Sequence, residues 1–129
     1  MGKYDQSITD ILKIEYEEIQ KLIDTLDRDV MEKIIDLLIS VKPNGRKVIT
    51  AGAGTSGATA IRVAHSLNVC EVPTFYCEPA FSMHGGTGAI QKGDVVILFS
   101  KGGNTLEVIN YIPVCKAKGG AKWVNTISP

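Results

Sequence analysis

The stretch Lys47-Val48-Ile49-Thr50-Ala51-Gly52-Ala53-Gly54-Thr55-Ser56-Gly57, followed by residues 58–68, decides how the chain is read. Lys47–Ala51 is a short β-rich run that ends in glycines. Residues 58–68 then carry Ile61, Ala64 and Leu67 at helical spacing, as the expected inner face of a helix. A strand that turns through glycines into a helix is the opening of a strand–helix–strand unit. The rest of the chain repeats that alternation. Pro73–Cys77 reads as a second strand, and Pro79–His84 as one or two helical turns broken by Gly85-Gly86. Lys92-Gly93-Asp94 is a turn before a third strand, Val95–Phe99, which is apolar throughout. Thr105–Lys118 is helical, with Pro113 as an internal irregularity and Gly119-Gly120 as its stop. Ala121–Ile127 reads as a fourth strand.

Strands this apolar do not suit a sheet with one wet face. Alternating strands and helices with buried strands predict a parallel sheet covered on both sides. The expected fold is therefore α/β, a three-layer αβα arrangement of flavodoxin-like type, with four strands in the order 2-1-3-4.

Ahead of this unit lie two helical patterns. Ile8, Ile11, Leu12, Ile19, Leu22, Ile23 and Leu26 share one face, with Asp10, Lys13, Glu17, Glu18 and Lys21 largely on the other. A second helix is expected from Asp29, with Asp29 and Glu32 spaced as a capping box and Val30, Ile34, Leu37, Leu38 and Val41 on its apolar side. Pro43-Asn44-Gly45 ends it. We thus expect a helical lead-in over residues 1–46 and an α/β domain over 47–129. The lead-in either packs on the sheet or forms a dimer interface.

Composition narrows the function. The chain has 129 residues, about one domain. Fourteen basic and fourteen acidic residues cancel, which argues against a nucleic acid held mainly by charge. Residues 1–46 hold seven Lys/Arg and ten Asp/Glu, net −3; residues 47–129 hold seven and four, net +3. The second part is the better place for an anion. No apolar stretch approaches the ~20 residues that span a bilayer, and the first ten residues lack the apolar core of a signal peptide. The expected location is cytoplasmic. Cys70, Cys77 and Cys115 show neither disulfide nor zinc spacing and read as small buried hydrophobes in a reducing compartment. No metal site and no cofactor are expected.

Two loops carry the chemistry. Gly52–Gly57 follows a strand and opens a helix, where free N–H groups and the helix dipole favour an anion. Gly54, Thr55, Ser56 and Gly57 are its binding candidates, the two hydroxyls adding donors. The same loop fits GxGxxG, with Glu78 at the place of the acidic residue that binds ribose in dinucleotide folds. A plain structural turn, a nucleotide site and another phosphate site all remain open on this loop alone. The second loop, Ser100-Lys101-Gly102-Gly103-Asn104-Thr105, also links a strand to a helix. Its candidates are Ser100, Lys101, Gly103, Asn104 and Thr105. Where chain order reverses between two strands of an open sheet, ligands bind at their carboxyl ends. Both loops would then flank one crevice and suit a compact dianion. The triphosphate motif GxxxxGK[ST] is missing.

With GAGTSG at 52–57, EPAFSMHGGTGAI at 78–90 and SKGGNTLE at 100–107, residues 47–128 resemble a SIS (sugar isomerase) domain, nearest its arabinose 5-phosphate isomerase branch. The helical lead-in is similar as well. In that resemblance Ser56, Ser100 and Thr105 match hydroxyl residues of the phosphate loops, and His84 matches the family histidine of the second motif. Glu107 matches the last glutamate of the third, which the resemblance implies as a proton-transfer residue. Thr55 stands in place of the family lysine and Asn104 in place of a glutamate. Gly102 replaces a serine, Gly86 an aspartate, and Lys101 an asparagine. The resemblance implies a sugar-phosphate ligand, a homodimer or homotetramer, and aldose–ketose isomerisation through an enediol. Glu107 and His84 are the catalytic candidates. The family domain continues past the fourth strand, so a missing C-terminal part, or a partner chain capping that strand, is expected.

Each of these residues also has a plainer reading. Glu107 is placed like a first-turn carboxylate that complements the helix dipole. His84 is placed like a histidine at a helix C-terminus, His65 reads as structural, and Lys101 as a solvated charge. Tyr76 and Trp123 read as core or core-edge aromatics. Two other functions use the same loops: a non-catalytic sugar-phosphate sensor, and a dinucleotide-binding oxidoreductase built on Gly52–Gly57 and Glu78.

Overall fold

The computed structural model describes residues 2–118 and 122–124. Contacts divide the chain into two compact units, one ending at Lys33 and one beginning at Ile34.

The first unit holds helix α1, Asp5–Thr25, and the first turns of α2, Arg28–Val41. The apolar face expected on α1 is present as a pattern, but Ile8, Ile11, Leu12, Ile19, Leu22 and Ile23 are all exposed. Helix α2 starts earlier than the sequence pattern suggests. Its cap is Asp27, whose carboxylate accepts the Val30 N–H at 3.0 Å. That overturns the Asp29–Glu32 capping box: Asp29 already lies inside the helix, where its side chain cannot cap.

In the second unit, β1 (Val48–Gly52), β2 (Thr74–Tyr76) and β3 (Val95–Phe99) form a parallel sheet in the order β2-β1-β3. Much of the fourth strand expected over 121–127 lies outside the described residues. Within it, the backbone of Lys122–Val124 pairs in parallel with β3. The Trp123 side chain lies outside what is described. Helix α3, Gly54–Val69, links β1 to β2. The chain then crosses back by α4, Pro79–Ser82, and a 3₁₀ turn, Gly86–Ala89, to reach β3 and helix α5, Leu106–Ala117.

Period-two alternation along the strands divides the core into two layers. Val48 and Val95 face one side with Val41, Leu37, Leu38, Leu67 and Val72. Ile49, Ala51 and Val96 face the other with Cys77, Ile90, Tyr111 and Cys115. Both sides of β1 are thus buried, which is why Val48–Gly52 needs no polar alternation. The Thr50 hydroxyl, buried in the first layer, donates to the Ala60 carbonyl of α3.

Small residues bring α3 close to the sheet. Gly57, Ala60 and Ala64 are its buried positions, and Leu67 is half-buried. Ile61, expected on the inner face, is exposed because the contact stripe runs through the smaller side chains. Cys77 and Cys115 are buried as expected, whereas Cys70 sits exposed just past the end of α3. His65 is exposed too. At the amino end of the sheet, the buried carboxylate of Asp94 takes the Lys47 ammonium at 2.7 Å and the Lys47 and Gln91 N–H groups. This satisfies a charge that burial would otherwise disfavour. No helix among the described residues is long and apolar enough to cross a membrane.

Candidate functional site

The site is set by a register. Gly52 and Phe99, the last residues of β1 and β3, are paired across the sheet. The loops that follow them therefore leave adjacent parallel strands at the same level. β1 connects to β2 on one side while β3 lies on the other, so the carboxyl ends of β1 and β3 bound the point where chain order reverses.

The first loop is tighter than the sequence suggests, since most of it is already helix. Gly54, Thr55 and Ser56 form the first turn of α3, with Ala53 as N-cap and no side chain capping it. The N–H groups of Ala53, Gly54, Thr55 and Ser56 make no hydrogen bond among the described residues. Such groups at a helix start are oriented for an anion. Gly57 is buried and donates its N–H to the Ala53 carbonyl. A Cβ on Gly57 would lie 2.7 Å from the Gly52 carbonyl oxygen and 3.0 Å from the Tyr76 hydroxyl. Only glycine lets α3 start this close to the strand end. Tyr76 reaches across from β2 and donates its hydroxyl to the Gly52 oxygen at 2.9 Å.

The second loop is braced by its own serine. Ser100 Oγ accepts the Gly103 N–H at 3.0 Å and lies 3.2 Å from the Thr105 hydroxyl. Gly103 takes φ +67°, a left-handed turn that favours glycine. Thr105 is the N-cap of α5 without a side-chain cap bond. Lys101, Gly103 and Asn104 are exposed, and Lys101 makes no ion pair among the described residues. Ser100 and Thr105 therefore organise the loop as well as offering hydroxyls to it.

Glu107 lies in the first turn of α5, exposed. His84 is exposed just after α4, and α4 packs against α5. Neither side chain is bonded to another among the described residues. Glu78 serves the fold, since its carboxylate accepts the Phe81 N–H at 2.6 Å and caps α4. Among the described residues no group of three His, Cys, Asp or Glu is placed to hold a metal ion.

The SIS domain family profile matches residues 43–126, about two thirds of the chain. The chain belongs to the SIS domain family. This SIS domain is 36% identical over 91 residues to the arabinose 5-phosphate isomerase KdsD of Pseudomonas aeruginosa, 70% of this chain and 27% of that one. It is 30% identical over 113 residues to the Escherichia coli arabinose 5-phosphate isomerase KpsF, 88% of this chain and 35% of that one. It thus spans roughly a third or less of the relatives it matches. The solved structure of E. coli CFT073 c3406 in complex with arabinose 5-phosphate superposes with a TM-score of 0.80 at 29% identity. The match covers 92% of this chain and 62% of that one.

Tyr76 is the residue that sequence reasoning places at the core edge without a role in the loop. Its position in a strand gives no sign that its hydroxyl ends at Gly52, because the two are 24 residues apart and meet only through the β1–β2 pairing.

Proposed function

We propose that this SIS domain binds a sugar phosphate across the carboxyl ends of β1 and β3 and serves an aldose–ketose isomerase. The observation that carries the reading is the Gly52–Phe99 register, which sets two uncapped helix starts side by side. The phosphate is held by the N–H groups of Gly54, Thr55 and Ser56 and the hydroxyls of Thr55 and Ser56. Gly57 allows that close approach, and Lys101 adds positive charge from the second loop, where Ser100, Gly103, Asn104 and Thr105 complete the wall. Charge-assisted bonds of roughly 1.5–3 kcal/mol each make three or four of these sufficient without a metal.

Isomerisation moves one proton between C1 and C2 through an enediol and another between the two oxygens. Glu107 is the base for the carbon-bound proton. It abstracts the proton from C2 of the aldose and returns it to C1. His84 services the oxygens, either in its own chain or in a neighbouring one. Support comes from the sugar-phosphate isomerases among the relatives and the arabinose 5-phosphate bound in the superposed structure. The exposed apolar face of α1 supports a working homodimer or homotetramer. We propose further that the sheet runs 2-1-3-4 in the flavodoxin-like manner, that residues 1–46 serve as lead-in to the domain, and that the chain works in the cytoplasm without a cofactor. A second reading, a non-catalytic sugar-phosphate sensor, is favoured by Thr55 at the family's lysine position.

A thermal-shift panel of sugar phosphates on the wild type and on Ser56→Ala tests the site. The expected result is a shift with arabinose 5-phosphate or a related ligand that Ser56→Ala reduces. Ligand shifts untouched by that change refute the loop assignment. Incorporation of solvent deuterium at C2 of the sugar separates the isomerase from the sensor.

A further inference from the structure

We propose that Tyr76 is a positioning residue for the first loop: its hydroxyl, bonded to the Gly52 carbonyl, aims the next backbone N–H toward the β3 side of the crevice. The inference rests on the sugar-phosphate reading above. In a trans peptide the C=O and the following N–H point in opposite directions, and the described chain has no cis bond. Fixing the Gly52 oxygen toward Tyr76 at 2.9 Å therefore fixes the Ala53 N–H away from it. That N–H makes no hydrogen bond among the described residues, and it directly precedes the three free N–H groups that start α3. A single bond from β2 thus sets the first donor of the cradle.

Two further observations separate this role from ordinary packing. The hydroxyl also fills the space beside Gly57, 3.0 Å from where a Cβ would stand, so loop, helix start and Tyr76 interlock. Burial first, and the neighbouring Glu78 carboxylate second, push the Tyr76 phenol upward, which keeps it a protonated donor. A phenylalanine would fill the same strand position but could not hold the peptide plane.

The test compares three versions of the full chain: the wild type, Tyr76→Phe and Thr50→Val. The last removes the hydroxyl of the neighbouring cross-strand residue, one bonded to the Ala60 carbonyl within α3 rather than to the loop. Affinity for arabinose 5-phosphate and for inorganic phosphate is measured by phosphorus NMR titration, alongside melting temperature without ligand. Loss of one hydrogen bond corresponds to about a 5- to 10-fold loss of affinity in Tyr76→Phe, expected with little change in melting temperature. Thr50→Val is expected to melt earlier and to bind like the wild type. Wild-type affinity in Tyr76→Phe, or an equal loss in Thr50→Val, overturns the positioning role alone. Failure of the wild type to bind either probe overturns the sugar-phosphate reading and this role with it.

Discussion

Gly52 and Phe99 end two neighbouring strands in register, and a Cβ on Gly52 would stand 3.0 Å from the Phe99 carbonyl oxygen. It would also stand 2.8 Å from the Ser56 oxygen. The two strand ends and the first turn of α3 are thus packed backbone to backbone, with room at Gly52 for nothing larger than hydrogen.

Gly52→Ala and Gly57→Ala follow from that packing. In both, the obstructing atom is backbone oxygen rather than a flexible side chain. Each variant should lose about 1–3 kcal/mol of stability, as overpacking does, measured by urea denaturation. A variant as stable as the wild type would mean the helix start can move back from the strand.

Ser100→Ala should act on the ligand more than on the fold. The serine hydroxyl braces Gly103 and Thr105 within an exposed loop. Its removal should weaken sugar-phosphate binding severalfold and leave the melting temperature within about 2 °C, on the scale of a surface change. Titration calorimetry beside a thermal melt checks both halves.

Tyr111→Phe should stabilise the protein. The Tyr111 hydroxyl is fully buried and has no hydrogen-bond partner among the described residues; the Cys77 and Cys115 thiols are its polar neighbours. Removing an unsatisfied buried hydroxyl should gain roughly 1 kcal/mol. A loss of stability on chemical denaturation would show that the hydroxyl is bonded in solution.

Stability should fall in alkali for a reason centred on the same layer. Burial raises the Cys115 thiol from its ordinary value of 9.0 to about 11 and pushes the Tyr111 phenol up as well. Both groups are neutral when protonated, and the folded state holds the proton more tightly than the unfolded one. The Cys115 contribution is complete below pH 9 and is lost as the pH rises toward 11, and that of Tyr111 begins to be lost above its ordinary value of 10.0. Urea midpoints measured from about pH 8 to 11 should decline, and Cys115→Ala should decline less steeply. Equal slopes would contradict the assignment.

Asp94→Ala should cost about 2–3 kcal/mol in a denaturation experiment. It strips the acceptor from two backbone N–H groups and the counter-charge from the Lys47 ammonium, which keeps only the Gln91 side-chain oxygen, at the amino end of the sheet.

How much of the molecule is legible in its sequence depends on the range of the interaction. The strand at Val95–Phe99 is a run of apolar residues long enough to identify itself, and the structure places it without a shift of boundary. The sequence pattern starts α3 four residues late, because Gly54 and Gly57 look like loop in sequence and are helix in space. Glycine disfavours a helix by ~1 kcal/mol, and here the close approach to Gly52 outweighs that preference. Periodicity misplaces Ile61 on the inner face of α3 for the same reason: contact is made through Gly57, Ala60 and Ala64. The cap of α2 passes from Asp29 to Asp27 because both residues are competent caps, and only the backbone path selects one.

By itself the sequence determined the alternation of strand and helix, the two glycine-rich loops and the hydroxyls they carry. Those are local properties, fixed by side-chain period and by which residues tolerate a tight turn. Only the tertiary structure decided that the loops leave β1 and β3 at one level and that Tyr76 reaches Gly52. Each of those depends on which strands pair and in what register, and hydrogen bonding between distant strands leaves no mark in the local pattern of either one.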